Sequence, residues 1–176
     1  MKKGGTGGAN TQTGLVFEKR VDLIKRFEEL DGYEVKGNQV YYQGTEVARY
    51  YKKRSLYSYL ASEGVQYKNF ISKRLEPDNA LYVIGNNTIY IIEMKFQIVG
   101  GSVDEKLQTC DFKKKQYQKL LASMNYEVEY IYLLSDWFKK EEYKDVRDYI
   151  ISVGCSFYFE FLPLDKIGLP MPIDSK

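Results

Sequence analysis

Histidine is absent from the sequence. That one absence removes histidine-dependent nucleases, Ser-His-Asp and Cys-His hydrolases and nearly all zinc enzymes, because each relies on an imidazole as base or ligand. Cysteine is scarce: Cys110 and Cys155 stand in no metal-binding spacing and read as reduced, packed thiols. No apolar run approaches the ~20 residues of a membrane span, so no membrane partner is expected. The opening MKKGGTGGAN has lysines but no apolar stretch behind them, and a cytoplasmic chain without a signal peptide is expected. A net charge of +2 is too small to argue by itself for a polyanionic partner. Any catalysis must therefore use carboxylate, lysine and a hard cation.

What the sequence does contain is a charged hairpin. At 176 residues and 44% hydrophobic content, the chain has the size of one domain with one sizeable core. A flexible Gly-rich lead over residues 1–9 and a single domain over 10–176 are expected. From Glu76 to Gln97 the sequence EPDNALYVIGNNTIYIIEMKFQ reads as two apolar strands joined at Asn86-Asn87. With a two-residue loop, paired positions sum to 173, which sets Ala80 opposite Glu93 and Asp78 opposite Lys95. Both faces are apolar: Ala80, Tyr82, Ile84, Ile89 and Ile91 on one, Leu81, Val83, Tyr90, Ile92 and Met94 on the other. Strands of this kind lie centrally in a sheet covered on both sides. Asp78, Glu93 and Lys95 then converge on one side of one end of the sheet. Either these are solvated strand-end charges, or they form a site. As a site, Asp78 and Glu93 can supply oxygen ligands to Mg²⁺, with the main-chain carbonyl of Met94 as a third. Lys95 can orient a water and offset charge on a phosphorane-like transition state. Phosphodiester hydrolysis needs these parts.

The rest of the chain alternates between helix and strand. Residues from Asn10 to the Asp31-Gly32 turn have an apolar stripe of Phe17, Val21, Ile24 and Phe27 at helical spacing, with Thr11 or Thr13 as cap. Glu18 borders this stripe and, on spacing alone, reads as an ordinary surface glutamate near a helix N-terminus. Short strands broken at Gly37-Asn38 and Gln43-Gly44 follow, then a helix from Arg54 to about Ser62 with Leu56, Tyr59 and Leu60 inward. After the hairpin, Gly100-Gly101 is a joint, and Ser102 with Glu105 forms a capping box opening a helix to about Met124. Leu107, Cys110, Tyr117, Leu120, Leu121 and Met124 form its apolar side. Lys106 and Lys113, like Gln108 and Lys115, are seven apart and give it a basic side. Such a helix is well placed to meet a phosphate backbone. The clusters Lys52-Lys53-Arg54 and Lys113-Lys114-Lys115 fit either phosphate contacts or solvated faces. Tyr50, Tyr51, Tyr57 and Tyr59 fit either a nucleic-acid surface or sheet packing. A strand over 128–134, a helix over 138–152 closed by Gly154, a strand over 156–162 and an irregular tail complete the chain. The order is helix, β-meander, helix, strand, helix, strand: an α/β fold with a central mixed sheet.

Pro77-Asp78 followed by Ile-Ile-Glu93-Met94-Lys95 at the end of an apolar strand resembles the PD-(D/E)xK nuclease superfamily. The opening GGANTQTGLVFE and the segment GSVDEKLQT after the lysine are similar to small type II restriction endonucleases. The likeness spans roughly residues 4 to 135 and leaves the C-terminal part without a placed motif. It implies a restriction-endonuclease-like α/β core, a central mixed sheet flanked by helices. It implies Asp78 and Glu93 as ligands of Mg²⁺ (or Mn²⁺ in its place) and Lys95 as the catalytic lysine. It also promotes Glu18 to an additional acid of the site. Gln108 matches a polar position near the site or the DNA, and Asn10, Thr11, Gln12, Thr13 and Lys106 become candidate DNA contacts. Amides such as Asn10 and Gln12 can read adenine edges, yet Asn and Thr are also ordinary cap residues. The expected activity is Mg²⁺-dependent, site-specific cleavage of double-stranded DNA by a homodimer, with a companion DNA methyltransferase in the same system. The alternatives are a structure-specific nuclease such as a Holliday junction resolvase, or a non-catalytic DNA-binding module on the same fold.

Overall fold

The structure, a computed structural model, describes residues 23–97 and 103–172, with backbone alone for 103 and 104. The Gly-rich lead, Asn10–Thr13, Glu18 and the Gly100-Gly101 joint lie outside the described residues. Among the described residues seven strands form one mixed sheet whose spatial order follows the chain. β1 (Tyr33–Lys36), β2 (Gln39–Tyr42), β3 (Thr45–Tyr51), β4 (Asn79–Val83) and β5 (Thr88–Lys95) make an antiparallel meander. β6 (Glu127–Leu134) and β7 (Ser156–Phe159) continue it in parallel. Parallel neighbours need crossovers. These carry α3 (Val103–Leu107) with α4 (Cys110–Leu121), and then α5 (Lys144–Ser152). α1 (Leu23–Glu28) precedes the meander and α2 (Arg54–Ser62) interrupts it. The protein is thus α/β, a central mixed sheet flanked by helices. Among the described residues no helix is long and apolar enough to cross a membrane.

The meander is punctuated where its turns demand positive φ. Gly37 (φ 63°) and Gly44 (φ 80°) supply it at the two tight hairpins, at no steric cost. The central strands then feed two cores. Ala80, Ile89 and Ile91 pack with Leu56 and Leu60 of α2, Leu120 and Leu121 of α4 and Ile150 of α5. Leu81, Val83, Tyr90, Ile92 and Met94 pack on the opposite face with Leu23 and Phe27 of α1 and with Leu162, Ile167 and Leu169. The alternation expected from the sequence is observed, except that Ile84 is 38% exposed at the loop.

The hairpin register differs from the two-residue expectation. Val83 pairs with Thr88 and Asn79 with Ile92, so paired positions sum to 171 and four residues form the loop. The Asn87 N–H donates to the Ile84 carbonyl at 3.2 Å, closing a turn around Gly85 and Asn86. Asn87 then takes a left-handed conformation (φ 53°), which asparagine tolerates. A slip of two preserves every face, so the core assignments survive, but Asp78 moves level with Glu93 and away from Lys95.

Three other boundaries moved. The helix expected to run to Met124 breaks at Gln108 and Thr109. There the Thr109 hydroxyl donates to the Lys106 carbonyl at 2.7 Å and competes with the helical ladder. The helix expected from 138 begins at Lys144, because Lys140 is extended (ψ 151°). Arg147 Nη1 donates to the exposed Lys140 carbonyl at 2.8 Å instead. β7 stops at Phe159, where Glu160 turns left-handed (φ 66°), and the tail beyond forms a 3-10 turn that buries Ile167 and Leu169.

Two-sided burial has a direct test. Ile91→Ala and Ile92→Ala, adjacent on β5 but in opposite cores, are each expected to lower unfolding free energy by ~2–5 kcal/mol in urea denaturation. Ile84→Ala is expected to change it by less than about 0.5 kcal/mol. Loss at only one of the two strand positions would mean that only one face is covered.

Candidate functional site

β5 outruns its antiparallel partner. The β4–β5 ladder ends at Asn79 and Ile92, whereas β5 continues to Lys95, paired on its other side with Leu134 of β6. Beyond Ile92 the β4 side offers no strand partner, and the Asp78 carboxylate takes the Met94 N–H, Oδ2 accepting at 2.8 Å. The aspartate is thereby set against the strand that carries Glu93 and Lys95. The Met94 side chain points into the opposite core, on the face expected for it.

Glu93 is 6% exposed. Its Oε2 accepts from Lys95 Nζ at 2.8 Å and from Lys113 Nζ at 3.3 Å. Burial pushes this carboxyl up; the Lys95 and Lys113 ammoniums outweigh burial and hold it below the ordinary value of 4.5. Glu93 is therefore ionised at neutral pH despite its burial. The ammonium of Lys95 also lies 5.9 Å from the ring centre of Tyr132.

Three tyrosines wall the pair in. Burial, and then the negative charge of Glu93, raise the hydroxyls of Tyr117 and Tyr130; burial chiefly raises that of Tyr132. All three stay neutral. Tyr117 donates to the Leu75 carbonyl at 2.7 Å, and Tyr57 of α2 donates to the same oxygen at 2.9 Å. Tyr132 donates to the Lys106 carbonyl at 3.1 Å. The segment leading to Asp78 is thus tied to α2 and α4 together.

The structure brings Asp78, Glu93, Met94 and Lys95 to one end of the sheet, as expected, and adds Lys113. The basic side assigned to the α4 helix is corrected here: Lys113 does not face away from the apolar stripe but lies on it, reaching Glu93. The signal was available in the sequence, since Lys113 stands three after Cys110 and four before Tyr117, which places it on their face of the helix. Tyr117 belongs to the site as well as the core. Lys106 is exposed, with its backbone held by Tyr132, and Gln108 is exposed in the break between α3 and α4. Glu18 and Asn10, Thr11, Gln12 and Thr13 lie outside the described residues.

No protein-family model, curated protein or solved structure matches the chain. The site stands on its own geometry.

Among the described residues no group of three or more His, Cys, Asp and Glu gathers in a metal-holding cluster. Asp78 and Glu93 make a set of two. The donor chemistry is all oxygen and anionic, which suits Mg²⁺, a cation that keeps several waters and takes one or two carboxylates. The residues fit such an ion better than one that demands a protein cage.

Because the folded pKa of Glu93 lies below its ordinary value, its ionisation adds stability. That stability is present above pH 4.5 and is lost as pH falls through the folded value. By ¹³C NMR of the carboxyl, Lys113→Met is expected to raise the Glu93 pKa. The double variant Lys95→Met/Lys113→Met should carry it above 4.5, with burial then unopposed. A pKa that does not move in either variant would deny the lysines their part in holding Glu93 ionised.

Proposed function

We propose that this chain is a Mg²⁺-dependent endodeoxyribonuclease that hydrolyses phosphodiester bonds of double-stranded DNA at a specific sequence, in the manner of a type II restriction endonuclease. One observation carries the reading. A buried carboxylate, Glu93, is held ionised at the end of a central strand beside Asp78, with lysines reaching it from both that strand and the facing helix. The resemblance of Pro77-Asp78 and Glu93-Met94-Lys95 to the PD-(D/E)xK pattern supports it.

In this reading Asp78, Glu93 and the main-chain carbonyl of Met94 hold Mg²⁺, or Mn²⁺ in its place. When bound, such an ion polarises the phosphate and lowers the pKa of a water. The protein's own groups do the rest. Lys95 orients the attacking water and holds positive charge toward the oxygens on which negative charge develops. Lys113 compensates Glu93, leaving Lys95 able to turn toward the phosphate. Lys106 and Gln108, exposed at the α3–α4 break, contact the DNA backbone, and Asn10 to Thr13 and Glu18 serve as the resemblance implies. One chain offers one such site, so cutting both strands of a symmetric sequence calls for a homodimer. An adjacent DNA methyltransferase gene would support a restriction role over a repair role.

A second reading has one observation in its favour. Both lysines close on the same oxygen, Glu93 Oε2, as in a purely structural ion triad. That reading is a non-catalytic DNA-binding module.

Plasmid cleavage separates the two. With Mg²⁺ the protein is expected to give discrete fragments that disappear in EDTA. Lys95→Ala should lower the rate by about 10²–10³-fold, and Lys113→Ala by about 10–100-fold, as for residues that orient a metal ligand. Nicking confined to branched DNA would move the assignment to a structure-specific nuclease such as a resolvase. Intact plasmid that still shifts in a gel would leave the binding module.

A further inference from the structure

Beside the segment that delivers Asp78 to the site lies a cavity of about 350 Å³, lined by Tyr57, Val65, Gln66, Tyr67, Lys68 and Arg74 among others. Its volume is at the lower end of the ~300–1,000 Å³ usual for small-ligand pockets. Its walls are aromatic and its rim is cationic. The Arg74 guanidinium lies 4.5 Å from the ring centre of Tyr67 and 5.3 Å from that of Tyr57. The two rings meet edge to face, at 86°. Among the described residues neither Arg74 nor Lys68 forms a salt bridge, and the nearby Glu76 is bonded to Arg54 instead. The chemistry on offer is thus one exposed cation, Arg74, over tyrosine rings and a second, Lys68, on the lining, around a cavity of about 350 Å³.

The cavity is also wired to the candidate catalytic end. Tyr57 both donates to the Leu75 carbonyl and accepts from the Leu75 N–H, each at 2.9 Å, while Tyr117 donates to the same carbonyl. Arg74 stands immediately before Leu75, and Asp78 is four Cα steps from Arg74, at most ~15 Å. A strand leaving the site needs only a short reach to enter. The perpendicular rings give the cavity an aromatic wall, the kind of surface on which an unstacked base lies.

We infer that this cavity holds one unpaired nucleotide of a nucleic-acid strand that passes the candidate catalytic end, its phosphate on Arg74 and Lys68 and its base against Tyr67. The inference rests on the nuclease reading for its ligand class, but its test does not require cleavage. Full-length protein is titrated, in EDTA and at low salt, into fluorescein-labelled oligothymidylate of about 12 nucleotides, a length within the span of common single-strand sites. Arg74→Ala and Tyr67→Leu are each expected to weaken binding about 10-fold, as loss of a stacking or cationic contact does. Tyr67→Phe should retain affinity, and so should Lys166→Ala, whose exposed side chain pairs with Asp165. An abasic strand of equal length should bind wild type as weakly as oligothymidylate binds Tyr67→Leu. Unchanged thermal unfolding of Arg74→Ala and Tyr67→Leu attributes their losses to the site.

Wild-type affinity in both Arg74→Ala and Tyr67→Leu would overturn the inference. So would indifference of the wild type to the loss of bases. Competition by free thymidine monophosphate as strong as by the oligonucleotide would overturn the assignment to a strand. A protein that fails to cut plasmid yet shows this binding pattern leaves the cavity assignment standing. One that cuts plasmid but binds oligothymidylate equally in all variants removes it and leaves the nuclease reading intact.

Discussion

A carboxylate stripped of most of its water has to be met by opposite charge, and the end of β5 is arranged around meeting that need at Glu93. Isolated in a low-dielectric setting, such a group would take up a proton. Two ammonium groups prevent this, one from the same strand and one from the facing helix. With the Asp78 carboxylate beside them, two carboxylates face two ammonium groups, so the charges balance behind tyrosines that stay neutral. Such charges act more strongly on one another at low exposure than they would in water. The chemistry proposed for the site depends on that balance, since it leaves both carboxylates ionised to take a cation.

Rigidity comes from the strand itself. β5 is flanked by β4 and β6 and packed on both faces, so the backbone that carries Glu93 and Lys95 has little freedom. Asp78 is not on a strand and needs other restraints. The Met94 amide supplies one. The Leu75 carbonyl supplies another, accepting from Tyr57 and Tyr117 and so binding the approach segment to two helices at once. Loop residues held this way can present a functional group almost as reliably as a strand does.

Much of this was legible in the residues because burial on a strand leaves a period-two trace. Ile89 and Ile91 against Tyr90 and Ile92 declared two covered faces, and those faces were found. Asp78, Glu93 and Lys95 were legible for the same reason, since a charge that ends a doubly apolar strand stands out. The register was not legible. Asn86-Asn87 is compatible with a two-residue turn, and only the contacts around Asn87 select the four-residue loop. The helix break at Thr109 was hidden too: one hydroxyl choosing a nearby carbonyl decides it, and the capping and apolar periodicity on either side run through it. Lys113 was misread because its charge suggested solvent, while its position between Cys110 and Tyr117 pointed inward. Charge type and helical position disagreed, and position prevailed because a buried partner of opposite sign was waiting.

The spatial order of the strands repeats their order in the chain, β1 through β7, with no strand inserted between earlier neighbours. A sheet of this kind can grow at one edge as the chain emerges, each new strand finding its partner already in place. Glu93 would be laid down at that growing edge with Lys95 beside it. Its second lysine arrives only when α4 follows 20 residues later and covers the face. Lys113 and Tyr117 share one face of α4, so the helix that takes water from Glu93 also brings its second lysine. Desolvation and compensation are supplied by the same packed face, and a bare buried carboxylate is not needed along the way.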